Sequence, residues 1–379
     1  MERIRLGDVF KISKGKKVEQ VEEHSESLIR YIQIDDLRND NNIKYCENNK
    51  KYVIASKNDI IIAWDGANAG TISYGLEGAI GSTLAILRNI DENISPEYVG
   101  KFLQSKFPYL RATCTGATIP HISRDALTKI EIPLPDSPTQ QKIVNTLGTT
   151  TELIGKRKQQ IQALDDLTQS IFYDMFGDVL SNDKNWVIKE LGDIAESRLG
   201  KMLDKKKQTG ENSHPYLANY NVQWFRFNLE SLNEMDFDEK DRIEFSLKND
   251  DLLVCEGGEV GRAAVWKEDL ENCYFQKALH RVRCNKEIIL PEYLAYYFFV
   301  RAKFNQFQDV VGGVSTIPHL TGIKLKKLEI PTPSLEEQKK FIKTLEKINQ
   351  QKDILVRGLN ELETNFNALR QKAFKGELF

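Results

Sequence analysis

Residues 118–147, TIPHISRDALTKIEIPLPDSPTQQKIVNTL, return 198 positions later as residues 316–345, TIPHLTGIKLKKLEIPTPSLEEQKKFIKTL. Thr118-Ile119-Pro120-His121 falls on Thr316-Ile317-Pro318-His319, Glu131-Ile132-Pro133 on Glu329-Ile330-Pro331, Gln140 on Gln338, and Thr146-Leu147 on Thr344-Leu345. The same shift continues without a gap to Leu164 and Leu362 and to Phe176 and Phe374. Self-similarity at a fixed offset exposes architecture that local propensity would miss. Here it makes the chain a tandem duplication.

Towards the N-terminus the shift shrinks. It is 195 at Pro96-Glu97-Tyr98 and Pro291-Glu292-Tyr293, and 191 at Lys57-Asn58-Asp59 and Lys248-Asn249-Asp250, with Gly66 on Gly257 and Gly70 on Gly261. At the openings it is 185, pairing Leu6-Gly7-Asp8 with Leu191-Gly192-Asp193, Gly15-Lys16 with Gly200-Lys201, and Tyr31 with Tyr216. Insertions are confined to the first part of each copy, while the second part keeps its length. The pattern predicts an α+β chain of two mixed α/β domains, residues 1–137 and 181–333, each followed by a long helical segment, residues 138–180 and 334–379.

After Pro138 the residues Ile143, Leu147, Thr150, Ile154, Arg157, Ile161, Leu164, Thr168, Ile171 and Met175 alternate spacings of four and three, the seam of a coiled coil. Thr150, Arg157 and Thr168 weaken it. In the second copy the stripe is Phe341, Leu345, Ile348, Lys352, Leu355, Leu359, Leu362, Phe366, Leu369 and Ala373, broken only by Lys352. Ser334-Leu335-Glu336-Glu337 sets a capping hydroxyl three residues before a carboxylate, and Ser137-Pro138 opens the first helix less well. Each helix runs to about 38 residues, roughly 55 Å. So narrow an apolar face must be buried on the other helix or on a partner, and antiparallel pairing of the two is expected.

Short runs such as Ile60 to Trp64 and Asp251 to Cys255 end at glycine-rich turns and read as strands carrying loops, and Glu97–Gln104 and Glu292–Lys303 follow prolines and read as helices. The 379 residues include 53 Lys plus Arg and 55 Asp plus Glu, a formal charge of -2, so no global basic field draws the chain to nucleic acid. Any such surface must be local or shared. Five cysteines without a C-x-x-C pair argue against a disulfide framework and a structural zinc site. The first ten residues lack the apolar core of a signal peptide, and the longest apolar run, Tyr293 to Val300, is too short to span a bilayer. A cytoplasmic protein is expected.

Catalytic patterns are missing. There is no G-x-x-x-x-G-K-[ST] phosphate loop and no Asn-Pro dipeptide of the kind amino-methyltransferases use. Pro135-Asp136 with Gln140 and Lys142 is too tightly spaced for a nuclease signature, and the five histidines are scattered without metal-ligand spacing.

Recognition chemistry remains. Lys11, Lys14, Lys16 and Lys17 in copy one, and Arg198, Lys201, Lys205, Lys206 and Lys207 in copy two, cluster at equivalent places after the first strand. Duplicate placement favours a phosphate-facing role, although such runs are also the mark of a solvated loop. Asn221, Gln223, Trp224 and Arg226 interleave amides, an aromatic ring and a base, side chains that read adenine edges, stack and grip phosphate; a strand with Val222 and Trp224 packed inside fits equally. Thr118 to His121 and Thr316 to His319 read either as DNA-facing turns or as turns into helices capped by Ser123 and Thr321. The Asp65-Gly66 and Glu256-Gly257-Gly258 loops can aim side chains at bases, or their glycines can simply serve the turn.

The LGD-x(6)-GK openings, the glycine loop, NVQW, TIPH, IEIPLP with QQK, LEIPTP with EEQKK and the closing AFKGEL together resemble the specificity subunit of type I restriction-modification systems, over essentially the whole chain. Copy one departs from the usual Glu-Glu-Gln helix start, carrying Asp136-Ser137-Pro138-Thr139-Gln140-Gln141. The resemblance implies that the globular halves are target-recognition domains and the helices conserved spacers. Two modification subunits would dock on the helices to methylate adenine, and restriction subunits would add endonuclease activity. It also implies that this chain binds no cofactor itself, and that S-adenosylmethionine, ATP and magnesium belong to the partners. Two other readings stay open at this point: a protein-assembly scaffold that does not bind DNA, and the specificity half of a related enzyme with a different nuclease partner.

Overall fold

Asp59-Ile60-Ile61-Ile62-Ala63 offers solvent almost no polar side chain, the composition of a strand covered on both faces. In the computed structural model Asp59–Ala63 is that strand, and each of its residues is buried. The structure describes the chain apart from residues 1, 23, 24, 26, 92, 117, 205–207, 269, 305, 306 and 308–318. Residue contacts divide it into two units, Met1–Gln159 with Arg357–Phe379, and Gln160–Val356.

In the first unit an antiparallel sheet runs Phe10–Lys14, Leu84–Asn89, Asp59–Ala63, Ile72–Tyr74. In the second unit the same order is built from Ala195–Leu199, Leu279–Cys284, Leu252–Cys255 and Ala263–Val265. Each unit adds a smaller sheet with one parallel pair, Tyr31 beside Ala79 in the first and Tyr216 beside Tyr274 in the second. Each also closes with a two-stranded ribbon, Glu2–Arg5 on Glu131–Leu134 and Val187–Glu190 on Glu329–Thr332. The expected shorter helices are Pro96–Ser105 and Pro291–Lys303, proline leading both. The fold is therefore duplicated along with the sequence.

One sequence match shifts by a residue. Arg88 grips Asp59 with two nitrogens (3.0 and 2.7 Å), and Arg283 grips Asp251 in the same way (2.7 and 2.7 Å). Each carboxylate also accepts the backbone N–H three residues earlier, from Ser56 at 2.8 Å and Lys248 at 2.7 Å. The counterpart of Asp59 is thus Asp251 and not Asp250, which takes a left-handed φ of 70° as the extra residue of the turn.

The long helices are Ser137–Phe176 and Leu335–Lys375. Ser334 caps the second as expected, its hydroxyl accepting the Glu337 N–H at 3.3 Å. The first is capped by Asp136, whose carboxylate accepts the Thr139 N–H at 3.0 Å, so Ser137-Pro138 is not the start signal. Both first turns are then fixed by a buried glutamine. Gln140 accepts the Ser95 N–H (2.9 Å) and donates to the carbonyls of Pro135 (3.0 Å) and Asn93 (3.5 Å). Gln338 accepts the Leu290 N–H (2.8 Å) and donates to those of Pro333 (2.9 Å) and Ile288 (3.0 Å).

Within each unit the start of one helix meets the end of the other, so the pairing is antiparallel. In the first unit Ile143 and Leu147 share a core with Phe366, Leu369 and Ala373, and Lys158 pairs with Glu363 at 2.8 Å. Phe374 there sets its ring edge against Tyr98 and Phe102, with centroids 5.7 and 5.2 Å away. In the second unit Phe172 and Phe176 pack on Tyr293 and Phe341, at 4.9 to 5.8 Å, with Leu345 alongside and Ile171 partly covered. Each globular core is thus completed by the end of the long helix that begins in the other copy.

Ile143, Leu147 and Phe341 are fully buried and Leu345 nearly so, because a domain and a helix both cover them. Ile154, Ile161, Leu164, Ile348, Leu355, Leu359 and Leu362 are half-buried, as expected of a seam covered from one side. The polar breaks are accommodated. Lys352 pairs with Asp165 at 2.5 Å, and Arg157 lies over Gly358, where a Cβ would meet its guanidinium at 2.6 Å. Among the described residues no helix is long and apolar enough to cross a membrane.

Gln338→Ala would strand one buried N–H and two carbonyls, a cost of about 3 kcal/mol. We expect faster hydrogen exchange at the Leu290 amide and an earlier unfolding transition of residues 160–356. Wild-type exchange at that amide would show that the glutamine holds nothing.

Candidate nucleic-acid interface

In the first domain three loops converge. The strand Phe10–Lys14 ends at Gly15, where a Cβ would sit 2.1 Å from the Gly81 carbonyl oxygen, so only glycine lets the chain pass. The next loop follows Asp59–Ala63 and turns at Gly66 and Gly70, both at φ 93°. The Thr118–His121 turn is tied to that loop by backbone bonds, Gly66 N–H to Pro120 at 2.9 Å and Ile122 N–H to Trp64 at 2.9 Å, and His121 exchanges two with Thr115 at 2.7 and 2.9 Å.

Side chains from the three loops meet at Asp65. One carboxylate oxygen is 2.7 Å from the Lys14 ammonium, the other 2.6 Å from His121 Nδ1. Burial alone would raise the Asp65 pKa, but the hydrogen bonds and charges of Lys14 and His121 outweigh it and hold the carboxyl below its ordinary value. Lys11, Lys16, Lys17 and Thr118 are exposed, and buried Val18 anchors the basic segment. Sequence reasoning did not single out Arg38, whose guanidinium donates to Asn68 of the glycine loop at 2.6 Å.

The second domain repeats the scaffold with other side chains. Gly200 again passes close to a carbonyl, a Cβ there falling 2.3 Å from the Gln276 oxygen. Leu199 takes the place of Lys14 and Gly257 that of Asp65, since the Glu256 carbonyl takes the Leu320 N–H as the Trp64 carbonyl takes the Ile122 N–H, so that Glu256 matches Trp64. His319 is exposed, and the Leu320 N–H beside it bonds to the Glu256 carbonyl at 2.8 Å. Leu320 is also held by buried His280, whose Nε2 donates to its carbonyl at 2.9 Å. Among the described residues no ion pair joins Glu256 to His319. An open cleft of 840 Å³ lies beside them, lined by Arg198, Lys201, Glu256, Lys277 and Lys326. Lys205, Lys206, Lys207 and Thr316 lie outside the described residues.

Two expected DNA-facing residues are turned inward. Asn221 is fully buried: its oxygen accepts the Ala218 N–H at 2.9 Å, and its amide donates to the carbonyls of Asn228 (2.9 Å) and Ser231 (3.0 Å). It satisfies backbone and has no edge left for a base. Lys201 is taken up by the Asp241 carboxylate and the Asp236 carbonyl, so it does not stand free for phosphate.

Gln223 donates to the Tyr220 carbonyl (2.8 Å), and Trp224 donates its indole N–H to Glu259 of the glycine loop (2.6 Å) while packing on Phe299. Arg262, another residue missed in the sequence, closes this network on the Asn219 carbonyl (2.9 Å) and side chain (2.7 Å). What the segment does expose is Arg226, Tyr220 and Phe225, the last in a left-handed φ of 63° and stacked on Tyr296. Among the described residues no cluster of His, Cys, Asp and Glu could hold a metal ion.

A family model described as the type I restriction modification DNA specificity domain matches the chain twice, at residues 1–163 and 183–364. The chain is similar to the type I restriction enzyme MjaVIII specificity subunit of Methanocaldococcus jannaschii, 26% identical over 366 residues that cover 92% of this chain and 86% of that one. It is also similar to the EcoBI specificity subunit of Escherichia coli, 21% identical over 354 residues, covering 84% and 73%. Its fold matches the S subunit of a type I restriction-modification system from M. genitalium with a TM-score of 0.57, 18% identity and coverage of 98% and 96%. A chain solved for complex assembly and conformational transition of the type I R-M system matches with a TM-score of 0.63, 17% identity and coverage of 100% and 98%.

The inward placement of Asn221 separates it from Arg226 in a simple experiment. Asn221→Ala should lower stability by about 3 kcal/mol through three abandoned buried hydrogen bonds, whereas Arg226→Ala should change it by less than about 0.5 kcal/mol. Equal thermal shifts for the two variants would contradict this division.

Proposed function

Because the chain belongs to the type I restriction-modification DNA specificity family, we propose that it selects the DNA sequence for a complex whose chemistry is carried out by other subunits. Each globular domain reads one half of a bipartite, asymmetric site from the major groove. The two long helices set the gap between the halves and dock two modification subunits, which methylate adenine with S-adenosylmethionine. Restriction subunits using ATP and magnesium join the same assembly in the prokaryotic cytoplasm.

One observation supports this reading above the others. From Thr118 to Phe176 and from Thr316 to Phe374 the two copies keep a constant offset, while the segments before them have gained residues and changed side chains. Length held fixed in the helices and chemistry free to vary in the domains is what a spacer between two different readers requires. The Asp65 cluster and its Leu199, Gly257 and His319 counterpart vary in this way on one scaffold. A formal charge of -2 is compatible with DNA binding when partner subunits supply much of the phosphate contact.

Removing seven matched residues from both helices takes out about 10 Å, the length of about three base pairs at ~3.4 Å each, and should shorten the gap by about one to three base pairs. Methylation mapping should find the same two half-sites with a shorter gap, and an unchanged gap would refute the spacer role. Replacing one domain by a second copy of the other should make the mapped site palindromic; a site that stays asymmetric would show that the halves are not read separately.

A further inference from the structure

We propose that Lys14, Asp65 and His121 form a base-reading cluster of the first domain, which takes the exocyclic amine of a single adenine or cytosine in the major groove. The proposal rests on the reading above, that the domain binds one half-site.

The cluster is assembled before any ligand arrives. Lys14 is followed by Gly15, whose N–H bonds to Leu84 at 2.8 Å, and Asp65 sits between the backbone bonds of Trp64 to Thr83 (2.8 Å) and Gly66 to Pro120 (2.9 Å). His121 is held by its two bonds to Thr115. Asp65 is 15% exposed, whereas the Lys14 and His121 side chains are 50% and 46% exposed, so the anchor is sheltered and the two heads face solvent. An ion pair so open to water adds little to stability, which leaves its precise placement unexplained by folding alone.

The donor and acceptor set selects the ligand. A carboxylate at the centre opposes a phosphate, so the cluster does not suit the DNA backbone. Base edges present donors and acceptors side by side. When imidazole donates Nδ1–H to Asp65, its Nε2 keeps a lone pair directed away from that bond. It can then accept from cytosine N4 or adenine N6 while Lys14 donates to a neighbouring ring nitrogen or carbonyl. At the matching places in the second domain stand Leu199, Gly257 and His319, which retain the histidine but remove both the ammonium and the carboxylate. Two domains that read different half-sites need this kind of difference at one position of a shared scaffold.

The test transplants that difference. Lys14→Leu with Asp65→Gly, in the full chain assembled with its modification subunit, is given a library of randomised duplexes, and methylated sequences are read out. Discrimination should fall by about tenfold or more at one position of one half-site, with the other half-site and the gap unchanged. If the pair of substitutions unfolds the domain, His121→Ala serves instead and should relax the same position. An unaltered motif, or uniformly weaker methylation of every sequence, overturns the proposal by placing the cluster on the backbone or in a structural role. A wild-type complex that marks no bipartite sequence would overturn the underlying function instead.

Discussion

The direction in which each long helix leaves its domain depends on a buried side-chain amide making three hydrogen bonds. Gln140 and Gln338 join the first helical turn to the loop before the shorter helix and to the proline carbonyl behind it. The proline-rich strands fit the same junction. Glu131–Leu134 and Glu329–Thr332 are each paired on one edge only, so Pro133 and Pro331 forfeit no second ladder bond. Their carbonyls are taken by the hydroxyls of Tyr98 (2.7 Å) and Tyr293 (2.8 Å), which belong to the shorter helices. Strand, short helix and long helix thus meet at one polar joint closed to water, where losing any partner would leave a buried group unsatisfied.

Much of this joint was legible in the sequence because it was written twice. The repeat marked Gln140 and Gln338, the glycines that pass beside carbonyls, and the final aromatics Phe176 and Phe374. The helical stripe was legible from its spacing, and its polar members found their answers in Gly358 and Asp165. Less visible was that Phe172 and Phe176 would be buried more deeply than the seam residues next to them. The stripe describes two cylinders in contact, whereas a domain wraps the end of each helix on a further side.

The candidate interface was legible in position more than in role. In the first domain the glycine loop and the Thr118–His121 turn lie outside helices and strands, whereas Lys11, Lys14 and Arg198 stand on strands, and the structure brings Lys14, Asp65 and His121 together. Sequence could not distinguish an amide that reads a ligand from one that satisfies its own backbone. Asn221 sits within a tight turn after Ala218, a setting in which asparagine often bonds to nearby main chain, and that was the available signal. Lys201 was misjudged for a related reason, since its carboxylate partner lies forty residues away and comes close only through the fold.

The exchange of helix ends also bears on synthesis at the ribosome. The first domain emerges ahead of the second, yet Phe374 and Ala373, which close its hydrophobic interior, are translated only after the whole second domain. Until then a patch around Tyr98 and Phe102 faces water, open to chaperones and to neighbouring nascent chains. Closing so long a stretch of chain between Tyr98 and Phe374 is slow and entropically costly. Maturation of the first domain must therefore wait for the far end of the second long helix, while the second can finish its interior as soon as Phe341 and Leu345 are released.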